Sequence, residues 1–197
     1  MISAILLAAG ESTRLGKLKA LLPWQGKTLL QHQINALIKA GVTEIIVVLG
    51  HQADKLSPLI ETTPQIKVVR NPHYRQGKTT SIKAGLKVIN PASDTILILG
   101  VDQPRSAATL KALLKHHQKT KALITIPEYR GKGGHPPIFS ASLIPELMAI
   151  TEEQAGLRAV INRPGREVKR LEMPSEEVLL DINTTADYER AKRREDT

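Results

Sequence analysis

The chain has 197 residues, enough for one full-sized domain, and its 41% hydrophobic content is enough to bury a core. With no cysteine, disulfides, thiolate nucleophiles and thiolate-bound metals are excluded. The net charge of +9 asks for an anionic partner, but aromatics are only 3% and nowhere form a stacking platform, so nucleic acid is disfavoured. The start, MISAILLAAG, lacks the basic flank and apolar length of a signal peptide. No apolar run approaches the roughly 18 residues of a membrane helix, so a cytoplasmic protein that does not engage a membrane is expected.

In chain order, the first apolar run (AILLA, 4–8) reads as a strand that stops at Gly10. The segment 28–41 then places Leu29, Leu30, Gln33, Ile34, Leu37 and Ile38 on one helical stripe ending at Gly41. Strands follow at 45–49 and 66–69, a helix at 79–89, a strand at 95–99, a helix at 107–119 and a strand at 122–126. On the 107–119 helix, His116 and His117 are expected on a charged, solvated face. Near-continuously apolar strands separated by helices imply an α/β fold of three layers, a mostly parallel central sheet with helices on both faces. After Pro127 the rhythm changes to a Gly- and Pro-rich loop (PEYRGKGGHPPIFS) entering a short strand at 137–140. Two helical stretches, EVKRLEM and EVLLDINTTADYERAKR complete the chain, the last with Asn183 or Thr184 as helix cap and Asp187 behind it. One domain over 1–197 is expected, its last third an insertion over the sheet's edge.

Two stretches imitate a phosphate-binding P-loop and both fail. GESTRLGKL has five residues between its glycines and Leu18 where a metal-binding hydroxyl belongs; PHYRQGKT has Pro72 in place of the first glycine, with no N–H to offer. The dinucleotide pattern G-x-G-x-x-G is also absent. The loop after the first strand nevertheless has phosphate chemistry, because it leaves the carboxyl end of a strand, where open α/β sheets bind ligands. Gly10 lets the backbone turn and approach a ligand, Ser12 and Thr13 add hydroxyls to the backbone donors, Arg14 offers a planar fork and Lys19 a mobile point charge. Downstream, TILILGVDQP puts Asp102 at a strand tip, where a carboxylate can hold a hard cation; the same residue could instead cap the next helix. His135, between glycines and prolines, is a better site candidate than His116 or His117.

LAAGESTRLGKLKALLP resembles the signature of nucleotidyltransferases with the Rossmann-like glycosyltransferase-A fold, and is most similar to the branch that makes molybdenum cofactor dinucleotides. Gly10, Arg14, Gly16 and Lys19 fall on the fixed points of its pattern. The resemblance covers nearly the whole chain in order: NPHYRQGKTTSIKAGL, the D-x-P at Asp102 (with Val101 interposed after the usual glycine), the G-H-P at His135, GLRAVI around Arg158, and LLDINTTADY. It implies an enzyme that moves a nucleoside monophosphate from an NTP to a small phosphorylated acceptor and releases pyrophosphate. Leu7, Ala8, Ala9, Gly10, Ser12, Arg14 and Lys19 would bind the nucleotide, with Asn71, Gly77 and Ser81 beside its base and ribose and Ser81 opening a helix. Arg14, Lys19 and Asp102 would be catalytic; Asp102 with Asn183 or Asp181 would hold Mg2+; His135 and Arg158 would face the acceptor. Asp181 and Asn183 are read as alternating along a strand, so that one of them, Asn183 by alignment, faces the cation. Residues 1–126 would form the nucleotide-binding portion and 127–197 the acceptor side. Ala9, in LAAG rather than LAGG, points to CTP, with molybdopterin as acceptor and a molybdoenzyme as recipient of the product. The alternatives are guanylyl transfer, another small phosphorylated acceptor, or a nucleotide- or RNA-binding protein without turnover.

Overall fold

In the computed structural model, which describes residues 1–61 and 63–195, the apolar runs assemble into one eight-stranded sheet. The chain runs β1 (Ile2–Ala8), β2 (Pro23–Trp24), β3 (Lys27–Thr28), α1 (Leu29–Lys39), β4 (Glu44–Leu49), α2 (Ala53–Leu56), β5 (Ile66–Arg70) and α3 (Lys78–Leu86). It continues through β6 (Thr95–Gly100), α4 (Ala107–Thr120), β7 (Ile124–Tyr129), β8 (Lys132–Gly133), β9 (Ile138–Ser140), α5 (Ile144–Ala149), α6 (Leu157–Ile161), β10 (Val168–Glu172) and α7 (Thr185–Glu195). The sheet order is β10-β7-β9-β6-β1-β4-β5, with β8 paired to β7 and β2 and β3 forming a separate hairpin. β1 runs parallel to both β4 and β6, with Leu7 opposite Val48 on one side and Gly100 on the other.

Alternation along β1 divides the core. Ala4, Leu6 and Ala8 pack with Leu30, Leu37, Leu110, Leu114 and Tyr188, from α1, α4 and α7. Ile5 and Leu7 pack with Ile82, Leu86, Leu147 and Val160, from α3, α5 and α6. Burial on both faces is why the central strands read as unbroken apolar runs rather than alternating ones. Gly85 lets α3 lie against β1, since a Cβ there would come within 2.7 Å of Ile5 Cγ2. Thr28 and Gln31 close a reciprocal capping box at the start of α1.

The last third departs from expectation. Instead of lying over the edge, it enters the sheet: β9 runs antiparallel between β6 and β7, and β10 pairs parallel with β7 at the outer edge. β7 also runs on through Pro127, whose carbonyl accepts from Gly134 N at 2.7 Å; the N–H that proline lacks would face the same side, beyond the end of the β9 pairing at Thr125. His117 is buried and pairs through Nδ1 with the Thr125 hydroxyl at 2.9 Å, because its helical position faces β7 and not solvent. Residues 180–183 form no strand, having no neighbour to pair with; Ile182 N instead bonds Asp102 O at 2.8 Å. The cap of α7 is Thr184, whose hydroxyl accepts from Asp187 N while the Asp187 carboxylate accepts from Thr184 N.

Arg105, fully buried, ties this C-terminal segment down. Its guanidinium donates to the carbonyls of His135 (2.9 Å), Pro104 (2.7 Å), Val178 (2.9 Å) and Leu180 (3.0 Å). Burial pulls its pKa down to about 10, and the Glu177, Asp181 and Asp102 carboxylates act the other way, so it remains charged at neutral pH. Arg105→Met should therefore strand several buried carbonyls and lower unfolding free energy in urea by about 3 kcal/mol or more. A loss under about 1 kcal/mol would mean that the apolar contacts of Val178 and Ile182 suffice to hold the segment.

Candidate active site

The carboxyl ends of β1 and β6 are neighbours, and the chain leaves each in a turn. Val101 N continues the ladder to Leu7 O at 3.0 Å, so Asp102 emerges immediately beyond the β1 terminus. A side chain at Gly100 would collide with the Asp102 carboxylate, which folds back over the glycine. Gln33, buried on the inner stripe of α1, braces this turn: its amide donates to Gly100 O and Gln103 O and accepts from Arg105 N at 3.2 Å. Asp102 is not the cap of α4. Ser106 fills that position, accepting from Thr109 N at 3.2 Å, and the Glu177 carboxylate binds Ser106 and the Thr109 hydroxyl.

Opposite lies the loop after β1. Ser12 adopts a left-handed conformation (φ 55°), and its hydroxyl oxygen accepts from Lys19 N at 3.1 Å, fixing where the lysine backbone starts. The Lys19 ammonium then reaches across the cleft to Asp102 Oδ2 at 2.8 Å and Asn183 Oδ1 at 2.9 Å. Asp181 lies beside Asn183, whose side chain favours the charged form of its carboxyl. Partial burial, and then the Asp102 charge, raise the Asp181 pKa. A cavity of about 170 Å³ opens here, lined by Leu7, Ala8, Gly10, Ser12, Lys19, Asp102 and Asn183 among others. Two hard oxygen donors already hold a cation, so this donor set fits Mg2+ or a similar ion, with the ammonium standing in for it.

Leu7, Ala8, Gly10, Ser12, Lys19, Asp102 and Asn183 thus share one cleft. Ala9 is buried behind it, its carbonyl accepting from His51 N at 3.0 Å. Asn71 and Ser81 are buried and engaged with each other at 2.9 Å, Asn71 also accepting from His73 N. They shape the 71–77 loop instead of facing the cavity, and Ser81 lies one turn inside α3 rather than at its start. Gly77 (φ +117°) packs directly on the Glu152 side chain, whose carboxylate caps Thr79 N at 2.6 Å. The Arg14 side chain lies outside the described residues.

His135 is exposed, and Arg158 is one of the cations whose charge bears on it. The His135 ring reaches solvent, yet the surrounding protein, followed by the Lys78 and Arg105 cations, lowers its pKa to about 4; Asp102 opposes the shift and Arg158 adds to it. Sequence reasoning passed over Lys78, Arg105, Glu152 and Gln33. The last carried a signal, being polar on an otherwise apolar stripe. The others read as ordinary surface residues.

A cleft at the carboxyl ends of parallel strands, closed by a lysine and a strand-tip carboxylate, defines a Rossmann-like nucleotide-handling fold. Residues 4–169 match the MobA-like NTP transferase domain, and the chain belongs to that family of nucleotidyltransferases. It is 27% identical over 193 residues to the molybdenum cofactor cytidylyltransferase of Escherichia coli strain K12, covering 98% of this chain and 96% of the relative. It is 29% identical over 190 residues to nicotine blue oxidoreductase of Paenarthrobacter nicotinovorans, covering 93% and 92%. The crystal structure of Rv0371c from Mycobacterium tuberculosis H37Rv superimposes with a TM-score of 0.85 at 27% identity, over 98% of this chain and 97% of that one. Its complex with manganese gives 0.78 at 26% identity, over 96% of each. No helix among the described residues is long and apolar enough to cross a membrane.

The sign of the His135 shift gives a test. An unfolded histidine titrates near about 6.5 and the folded one near 4, so the unfolded chain binds more protons between those values. Stability due to the neutral ring is complete above about pH 6.5 and declines as the pH falls toward 4. The His135 ring proton should therefore move in NMR only near pH 4, and His135→Asn should flatten the acid limb of the stability curve. A midpoint near the ordinary histidine value would mean that the exposed ring is solvated and that the surrounding protein and cations shift it little.

Proposed function

We propose that the chain is a cytidylyltransferase, moving CMP from CTP to the phosphate of molybdopterin with release of pyrophosphate. The observation that carries the transferase reading is the Lys19 ammonium held between Asp102 and Asn183 at the floor of the signature-loop cavity. That arrangement supplies a cation for phosphate oxygens and a pair of oxygens for a metal. CTP rests on Ala9 in LAAG, and molybdopterin on the branch that the signature resembles and on the similar relative from Escherichia coli. The proposed setting is the cytoplasm, with a molybdoenzyme receiving the product.

The loop 10–19 would wrap the triphosphate with its backbone donors and the Ser12 and Thr13 hydroxyls, while Lys19 and Arg14 take up the charge that moves onto the departing pyrophosphate. Asp102 and Asn183 would hold Mg2+, which when bound neutralises phosphate oxygens and lessens their mutual repulsion, with Asp181 beside Asn183. Residues from 127–197, with His135 and Arg158, would receive the acceptor. The acceptor phosphate is itself the nucleophile: one of its oxygens bonds to the α-phosphorus as the bond to the pyrophosphate oxygen breaks. No side-chain base is needed, so positioning and charge neutralisation carry the rate. A neutral His135 can donate a hydrogen bond to the acceptor without adding charge.

The first test is thermal unfolding with CTP, GTP, ATP or UTP, each with and without Mg2+. CTP with Mg2+ at about 100 times its dissociation constant should raise Tm by roughly 5–10 °C, with smaller shifts for the others. Asp102→Asn should still bind nucleotide yet lose at least about a hundredfold in turnover. Equal shifts with every nucleotide, independent of metal, would contradict the transferase reading.

A further inference from the structure

The Lys19 side chain is only 13% exposed and Asp102 27%, so their contact is a sheltered ion pair rather than a loose surface one. The lysine backbone cannot drift. Its N–H is bonded to Ser12, and the turn Lys19–Leu21 is anchored by buried Ala20. What can move is the four-carbon stem, which lies in the same cavity as Gly10, Ser12 and Thr13. A metal ion held by Asp102 Oδ2 and Asn183 Oδ1 would compete for the oxygens the ammonium now occupies, and two cations there would repel.

The protein's own donors are also few. Among the described residues no group of three or more His, Asp or Glu side chains could hold a metal. Asp102 and Asn183 supply two oxygens, well short of the six that Mg2+ or Mn2+ prefers. A nucleoside triphosphate changes both terms: its oxygens give the ammonium a new partner and fill further metal positions.

We propose that Lys19 is a positioning residue for the metal site, a resident cation that closes the Asp102–Asn183 pair to a free divalent ion and leaves only when triphosphate oxygens receive it. Metal and nucleotide binding are then positively coupled through one side chain, and the coupling is reciprocal. The arrangement keeps Asn183 and Asp102 facing each other in the empty protein and prevents a bare metal from occupying the cleft before the substrate arrives. This inference rests on the nucleotide reading of the cleft.

Mn2+ binding to the nucleotide-free protein, followed by electron paramagnetic resonance, tests it without any turnover. Wild type should bind Mn2+ only in the millimolar range or weaker, and Lys19→Met should bind it about tenfold more tightly or better. Lys19→Gln should behave likewise should the methionine variant fold poorly, and Asp102→Asn placed on either background should abolish the gain. A non-hydrolysable CTP analogue should tighten Mn2+ binding more in wild type than in Lys19→Met. A submillimolar Mn2+ site in nucleotide-free wild type would overturn the proposal with no variant needed. Unchanged Mn2+ affinity in Lys19→Met, with nucleotide still binding, would overturn the coupling and leave the transferase reading standing. Failure of any nucleotide to bind would sink the transferase reading and the coupling together, whatever Lys19→Met does to Mn2+ affinity.

Discussion

Three segments far apart in sequence meet at the Lys19 ammonium: the loop after β1, the turn after β6, and the irregular stretch before α7. A cation 2.8 Å from Asp102 and 2.9 Å from Asn183 makes them one site. That contact depends in turn on strand order. Only because β1 and β6 are parallel neighbours do their carboxyl ends bring the loop and the carboxylate to the same edge. Only because Ile182 N bonds Asp102 O does Asn183 arrive beside them.

The rest of the molecule can be understood as support for that edge. Gln33 holds the β6 turn from the α1 side, and Arg105 holds the C-terminal segment from within. Both are buried polar groups whose partners are backbone oxygens and amides, and such groups are retained when every hydrogen bond is made. The His135 end of the cleft is built differently. There the surrounding protein and the Lys78, Arg105 and Arg158 cations favour a neutral His135 ring, and Asp102 opposes them.

Much of the sheet was legible because its central strands are buried on both faces, which leaves an unmistakable apolar run in each. The loop was legible because glycines, hydroxyls and cations coincide at a strand end. Less could be read after Pro127. β9 has three residues, and nothing in IFS says that it will slot antiparallel between two parallel neighbours; that follows from the space left between β6 and β7. Residues 181–183 have strand-like alternation but no strand to pair with, a long-range fact that local pattern does not hold. Asn71 and Ser81 matched a motif, and the structure shows them bonded to each other, a pairing that the motif alone does not tell. Arg105 looked like any arginine after a proline, since burial of a guanidinium is decided by carbonyls from segments that lie 30 to 75 residues away.

The most direct test of the central claim is a crystal structure of the protein grown with CTP and Mn2+, with anomalous scattering to locate the metal. The account predicts one metal peak between Asp102 and Asn183, the triphosphate in the loop 10–19, and Lys19 Nζ moved from the two oxygens onto phosphate. Nucleotide bound elsewhere, with the Lys19–Asp102 pair intact and no metal between Asp102 and Asn183, would contradict it.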